Sequence, residues 1–281
     1  MYDVAIIGSG PAAISAALTL KLHNKNIIWL GSKKLSPKVE KSEKIANYPG
    51  VPMVAGPELN RLYREQIEAM DLEITERQVT NIATSRRGFM VLGGSDVYEA
   101  KTVLLATGAV SGKGFPGETE LLGHGVSYCA TCDGFLYKGK TIAVYCGSKD
   151  FEHEVTYLAE IAEKVYLFTP YDCVLTRENI VVNPGKLKSI RGEKKADGVK
   201  LLDGTTLDVN GVFIIRPAVA PANLLKGLEM NGADIVVNRN MATNKSGCFA
   251  AGDCTGRPYQ LTKAVGEGNV AAHSIIAYLA D

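Results

Sequence analysis

Short apolar runs that stop at glycine punctuate this chain. Val4-Ala5-Ile6-Ile7 is the pattern of a strand buried on both faces, and it runs straight into Gly8-Ser9-Gly10-Pro11-Ala12-Ala13. Ile14, Ala17, Leu18 and Leu22 then recur at helical spacing. Asn26 to Leu30 predicts a second strand and Glu58 to Met70 a helix. Glu73 to Ile82 and Gly88 to Val91 predict further strands, and Val103 to Gly108 another buried strand with a glycine stop. The pattern restarts at Thr141: strand Ile142 to Tyr145, turn Cys146 to Lys149, helix to Ala162, strand Val165 to Phe168. Lys200 to Leu207 predicts a hairpin turning at Asp203-Gly204, and Val212 to Ile215 closes this half. Phe249 to Asp253 predicts a strand and turn, and Gly268 to Leu279 the last helix. Two strand–helix–strand units imply an α/β fold of two mononucleotide-binding-type halves, the C-terminal piece returning to the first.

Composition narrows the function. The 281 residues are 46% apolar and 22% charged, ordinary for a globular chain. Lys plus Arg exceed Asp plus Glu by only one, 31 against 30, whereas a nucleic-acid binder working through phosphates carries more positive charge. No apolar run approaches the ~18 residues of a membrane-spanning helix. MYDVAIIGSG reads as an immediate strand and not as a secretory signal. Cytoplasmic placement is expected, with reduced thiols.

Gly8-x-Gly10-x-x-Ala13 after a strand and opening a helix is the context of a dinucleotide fingerprint. Gly8 allows the tight turn, Gly10 lets backbone approach a pyrophosphate, and Ala13 permits close helix–strand packing. The alternative is a ligand-free glycine turn. Gly31 ends the second strand where an NAD site needs an acid for the ribose, so either adenosine is held otherwise or the ligand is FAD.

Cys129-Ala130-Thr131-Cys132-Asp133-Gly134 carries the sharpest chemistry. Two thiols with two residues between them can exchange with an incoming disulfide, one attacking and one resolving. Asp133 can hold or supply the proton of the leaving thiolate. A zinc half-site or two buried cysteines are the other readings; zinc wants a second pair, which Cys146, Cys173, Cys248 and Cys254 do not form. Those four are expected as small core residues.

With both motifs in hand, the chain resembles the low-molecular-weight, FAD-dependent thioredoxin reductases. Gly8-Ser-Gly-Pro-Ala-Ala13, Ala46-Asn47-Tyr-Pro-Gly50, Ala106-Thr-Gly-Ala109, Cys129-Ala-Thr-Cys-Asp-Gly134 and Ala251-Gly-Asp-Cys254 carry the resemblance over essentially the whole length. It implies two Rossmann-like, three-layer domains, the FAD domain interrupted by the second: 1–113 and 217–281 for FAD, 114–216 for the inserted redox-disulfide domain. It implies FAD contacts from Gly8, Ser9, Gly10, Pro11, Ala12, Ala13, Gly31 and Val79. Asn47 would sit near the isoalloxazine, Ala106, Thr107 and Gly108 along the cofactor, and Gly252 and Asp253 at the ribityl and phosphate region. Gln260 and Leu261 are also assigned to the cofactor, although Tyr259-Gln260 stands where the family usually has Arg-Gln. Cys132 would face the flavin and Cys129 attack thioredoxin, with Asp133 beside them. A homodimer is implied, and no metal.

One departure redirects the electron source. In the family the second unit binds NADPH through Gly-x-Gly-x-x-Ala and, one strand later, His-Arg-Arg. Here Cys146, Ser148 and Phe151 replace the small residues, and Thr169-Pro170-Tyr171 replaces the cations. This pattern resembles the ferredoxin-dependent flavin thioredoxin reductases. Energetics permit that donor: a gap of ~130 mV between a plant-type ferredoxin and thioredoxin is worth roughly 6 kcal/mol over two electrons. Lysines are enriched at 33–44 and basic residues at 186–200, and either stretch could steer an acidic partner or be solvated surface. Competing readings are a dithiol oxidase of a small molecule, an NADPH-dependent reductase with a divergent site, and a non-catalytic flavoprotein. Domain rotation is expected about crossings near Lys113–Phe115 and Pro217–Pro221, rich in Gly112, Gly114, Pro116 and Gly117.

Overall fold

The computed structural model describes residues 1–109, 114–216 and 219–280. Expectations for Gly112, Lys113 and Pro217 lie outside the described residues. The chain divides into two compact units, one from Met1–Val110 with Ala220–Asp281, the other Ser111–Val219.

The two-segment unit is built on a seven-stranded sheet. Its order is Thr75–Glu76, Ile27–Gly31, Tyr2–Ile7, Asp96–Leu105, Gly88–Gly93, Val79–Ser85. Tyr2–Ile7 lies parallel to both neighbours, with Ile7 opposite Leu30 on one side and Leu105 on the other. Asp96–Leu105 is shared: its first half pairs antiparallel with Gly88–Gly93, its second half parallel with Cys248–Ala250 from the C-terminal segment. The near-continuous apolar strands are explained by burial, since Val4, Ile6, Leu104 and Leu105 are wholly inaccessible. The Pro11–Leu22 helix packs on the Leu261–Tyr278 helix, and Ala13, Ala17, Leu20, Ala271 and Ile275 join Trp29 in one core.

The final helix begins seven residues before the Gly268 start expected from sequence. Glycines at 266 and 268 lower helix propensity and read as a boundary. Gly268 is there for contact: a Cβ on it would lie 2.1 Å from the Ala12 carbonyl oxygen. The expected strand over 73–82 is two strands, because Thr75–Glu76 pairs parallel with Leu30-Gly31 while Val79–Ser85 pairs antiparallel with Gly88–Gly93. The aperiodic stretch 33–44 holds a one-turn helix, Pro37–Glu40, whose Ser36 hydroxyl accepts from the Val39 amide at 3.4 Å.

The inserted unit has a five-stranded parallel sheet: Ile180–Val182, Lys164–Phe168, Thr141–Cys146, Gly211–Ile215, Val126–Ser127. The Glu152–Ile161 helix covers it through Val155 and Leu158. A separate antiparallel sheet of Leu187–Arg191, Gly198–Leu201 and Thr206–Asp208 contains the expected Asp203-Gly204 turn. Gly117, named in the sequence with the first crossing, is closely packed within this unit: φ is +88° and a Cβ would lie 2.4 Å from the Ile190 carbonyl oxygen.

Candidate functional site

The first group of candidate residues gathers at the C-terminal ends of the Tyr2–Ile7 and Asp96–Leu105 strands. Gly8 turns the chain at φ +111°, and a Cβ there would lie 2.2 Å from the Ala106 carbonyl oxygen, so only glycine fits. Trp29, buried in the neighbouring strand, donates its indole N–H to the Gly8 carbonyl at 2.7 Å. Gly31 sits against Ser9, whose hydroxyl accepts from the Ser32 amide at 3.1 Å. Gly10 is the N-cap of the Pro11–Leu22 helix, carries no side-chain cap, and a Cβ on it would meet nothing within 4 Å. Open space therefore faces the amide end of a helix whose dipole favours an anion. These residues fit a dinucleotide pyrophosphate.

Gly252 closes on the same turn. Its φ is +89° and a Cβ would lie 2.9 Å from that of Ala12. The Glu267 carboxylate accepts from the Gly252 amide at 2.8 Å, while Lys263 donates to the carbonyls of Gly252 and Gly256 at 2.9 and 2.7 Å. This Lys263–Glu267 brace escaped the sequence reading; its only signal is an i,i+4 pair on a helix following Gly-Asp. Asp253 takes an ion pair from Lys38 at 3.0 Å. Asn47 donates to the Gln260 amide oxygen at 3.0 Å, so two residues 213 apart in sequence meet. Ala106, Thr107 and Gly108 follow directly from the Asp96–Leu105 strand, and Leu261 opens the last helix. Val79 is buried in the antiparallel meander, and no bond joins its side chain to the others.

The second group lies in the inserted unit. Cys129 and Cys132 form a disulfide, Cα to Cα 5.3 Å, spanning a one-turn helix, Ala130–Asp133. Cys129 caps that turn, its sulfur accepting from the Cys132 amide at 3.2 Å. Cys129 is buried and Cys132 half-buried. Ser127, missed from sequence, joins the group: its hydroxyl donates to the Asp133 carboxylate at 2.6 Å and accepts from the Cys129 amide at 3.0 Å. Phe135 and Leu136 follow the pair as exposed apolar side chains, 65% and 52% accessible.

Behind the pair stands a buried ion pair. Glu118, 2% exposed, accepts from both terminal nitrogens of Arg216 at 2.9 and 3.0 Å, from the Phe115 amide at 2.8 Å and from the Tyr128 hydroxyl at 3.0 Å. The Arg216 guanidinium also lies over the rings of Phe115 and Tyr145 at 5.0 and 5.3 Å. Tyr128 immediately precedes Cys129.

The turn after Thr141–Cys146 is tied up by bonds among the chain's own side chains. The Tyr171 hydroxyl donates to the Cys146 sulfur at 3.4 Å, and Thr169 donates to the Tyr171 carbonyl at 2.6 Å. The Ser148 hydroxyl accepts from the Asp150 amide at 3.3 Å, capping a short 3-10 turn. Glu152 and Glu154 put negative charge at the start of the following helix. Cys146, which stands where the family has glycine, is a buried strand residue without a positive φ, its thiol pushed up by burial. Cys248 and Cys254 are buried as expected, whereas Cys173 is only half-buried, its thiol donating to Glu152 at 3.6 Å. Among the described residues no cluster of three or more His, Cys, Asp or Glu could hold a metal, and no helix is long and apolar enough to cross a membrane.

A family model described as pyridine nucleotide-disulphide oxidoreductase matches residues 2–268. Two crystal structures of ferredoxin-flavin thioredoxin reductases from Clostridium acetobutylicum are similar. One is 44% identical at TM-score 0.92, covering 99% of this chain and 97% of that one; the other is 41% identical at TM-score 0.88, covering 100% and 99%. A thioredoxin reductase of Treponema pallidum (strain Nichols) is 32% identical, covering 99% of this chain and 97% of that protein.

Proposed function

The chain belongs to the pyridine nucleotide-disulphide oxidoreductase family, as a thioredoxin reductase-type flavoprotein with FAD as cofactor, and from that premise we propose that it reduces thioredoxin with electrons from reduced ferredoxin. The observation that carries the choice of donor is the self-bonded turn of the inserted unit. Tyr171 is bonded to Cys146 where a nicotinamide dinucleotide needs room, Ser148 spends its hydroxyl on a local cap, and Thr169-Pro170-Tyr171 supplies no cation of its own, the Lys149 ammonium instead lying over the Tyr171 ring at 5.7 Å. The two structural relatives named above as ferredoxin-flavin enzymes support the same reading.

The balance is simple. Two reduced ferredoxins lose one electron each, and the thioredoxin disulfide takes both with two protons to become a dithiol. FAD, when bound, converts single-electron delivery into the pair that a disulfide needs. Gly8, Gly10, Ala12 and Ala13 would hold its pyrophosphate, Asp253 its ribityl end, and Asn47 with Gln260 the flavin. Two electrons cleave Cys129–Cys132; one thiolate then attacks thioredoxin and the other resolves the mixed disulfide. Asp133, oriented by Ser127, stands as the group that would pass a proton to the departing sulfur. We assign Cys132 to the flavin side and Cys129 to thioredoxin. Cys129 is the more buried of the two, so this assignment requires it to be uncovered before it attacks. Trapping thioredoxin on Cys129 in Cys132→Ser is the expected result; trapping only on Cys132, in Cys129→Ser, reverses the roles. The working protein is taken as a cytoplasmic homodimer, which sedimentation equilibrium tests by mass.

The deciding experiment mixes FAD-loaded protein anaerobically with NADPH, NADH or reduced ferredoxin, then adds oxidised thioredoxin. Ferredoxin should bleach the flavin and thioredoxin thiols should follow, one pair per two electrons. Rapid stoichiometric bleaching by micromolar NADPH would instead restore a nicotinamide-dependent reductase.

A further inference from the structure

The ferredoxin reading leaves open where such a donor docks, and one exposed side chain in the cofactor-bearing unit has so far been given no role. Tyr259 is 45% exposed. The Lys38 ammonium lies 5.3 Å from its ring centroid and the Arg257 guanidinium 5.6 Å, so an accessible aromatic is flanked by two cations. Lys38 is held there by Asp253, and the residue after Tyr259 is Gln260, bonded to Asn47. The cluster therefore adjoins residues assigned to the flavin. The stretch 33–44 that contributes Lys38 carries five lysines against Glu40 and Glu43, a local excess of three in a chain whose net charge is +1. One Glu40 oxygen is already taken by Asn60 at 2.6 Å.

Resting on the ferredoxin reading, we propose that Tyr259, Arg257 and the lysines of 33–44 form the docking surface for an acidic iron–sulfur protein that delivers electrons singly. Three physical requirements meet there. Positive charge steers an acidic carrier and raises its encounter rate. Tyr and Arg are side chains that concentrate binding energy at interfaces, because they offer large contact area with a polar edge. Electron delivery needs a short path, and this patch adjoins the flavin-assigned pair. In the other basic stretch, 186–200, Arg191 is already paired with Asp197 and Asp208, and no ring contact of the kind Tyr259 makes joins its lysines to an exposed aromatic among the described residues.

The test uses the FAD-loaded full chain with a purified acidic bacterial-type ferredoxin. Binding of oxidised ferredoxin is measured by calorimetry, and flavin reduction by reduced ferredoxin by stopped flow, both across ionic strength. Arg257→Glu and Lys41→Glu/Lys44→Glu should each weaken binding and slow second-order reduction by about tenfold at low salt, the deficit shrinking as salt rises. Tyr259→Ala should weaken binding at every salt concentration. Lys186→Glu/Lys188→Glu should match the wild type. Photoreduced viologen, a small cationic donor, reports that the flavin of each variant is intact and reducible. If ferredoxin binds and reduces the wild type but only Lys186→Glu/Lys188→Glu is impaired, the docking surface is elsewhere and this proposal is wrong. If viologen reduces the wild-type flavin while ferredoxin neither binds nor reduces it, the donor reading itself falls.

Discussion

A methyl group added at Gly268 and one added at Gly266 should have opposite consequences. Both glycines lie in the Leu261–Tyr278 helix, where glycine ordinarily costs roughly 0.5–1 kcal/mol relative to alanine. Gly266→Ala, whose Cβ meets nothing within 4 Å, should stabilise by about that amount. Gly268→Ala drives its Cβ into the Ala12 backbone and should destabilise by about 1–3 kcal/mol, both read from urea unfolding midpoints. The buried thiols make a second residue-level test. Burial pushes Cys254 up to about 11 and Cys248 up to about 12. The folded protein then keeps protons that the unfolded chain releases above about pH 8.5, so this stability is full below that pH and lost as pH rises through about 11. Cys254→Ala should accordingly lose less stability than the wild type between about pH 8 and pH 10.5, measured by the same midpoints. At this scale the sequence was legible wherever chemistry and backbone demand sit within a few residues, as at Gly8, Gly10 and Cys129 to Cys132. Gly268 was misread because its reason is a carbonyl 256 residues away, which no local pattern reveals.

Elements place side chains that are far apart in sequence, and that is where reading by motif stopped. Ser127 ends a two-residue strand paired to Gly211–Ile215, and from there it serves both Asp133 and the Cys129 amide. Ser127→Ala removes a donor from one and an acceptor from the other, at about 1–3 kcal/mol for buried polar groups left unpaired. It should slow dithiol exchange with thioredoxin by roughly tenfold, seen in single-turnover kinetics of pre-reduced protein. The Glu118–Arg216 pair, 98 residues apart, joins the chain entering the inserted unit to the chain leaving it. Arg216→Ala strands a buried carboxylate and should cost about 3–5 kcal/mol, whereas Glu118→Gln/Arg216→Met, which removes both charges but keeps an acceptor for the Phe115 amide and Tyr128 hydroxyl, should recover most of that in chemical denaturation. Tyr128→Phe leaves the ion pair in place and should cost only about 1 kcal/mol. The parallel strands were predictable because burial on both faces makes them continuous apolar runs. The break of 73–82 into two strands was not, since it reflects which neighbour each half pairs with.

At the scale of the whole molecule, the redox pair and the candidate cofactor turn belong to different units, each with its own core. On the function proposed above, the pair must be reduced by the flavin and oxidised by thioredoxin in turn. Fluorophores placed one on each unit should therefore change their separation between oxidised and reduced protein, and an engineered disulfide locking the units should abolish turnover; an unchanged rate in the locked protein would exclude the motion. The two-unit plan was readable because the strand–helix–strand pattern visibly restarts at Thr141, while the return of the C-terminal segment had to be inferred from a single short strand. That strand has a consequence for how the protein is made. Leu105 and its partner Ala250 are 145 residues apart, so a ribosome adding about 5–20 residues per second leaves the first sheet one strand short for roughly 7–30 s after residue 105 is made. The inserted unit, contiguous in the chain, can finish folding in that interval. The first segment meanwhile carries a strand half, Val103 to Leu105, paired with Ala5 to Ile7 on one edge but open on the other, and a Pro11–Leu22 helix without its Leu261–Tyr278 partner. Gly252, Asp253, Gln260 and Leu261, assigned to the cofactor, are made last, so stalled chains ending before residue 248 should fail to retain FAD in a ribosome-release assay while full-length chains retain it.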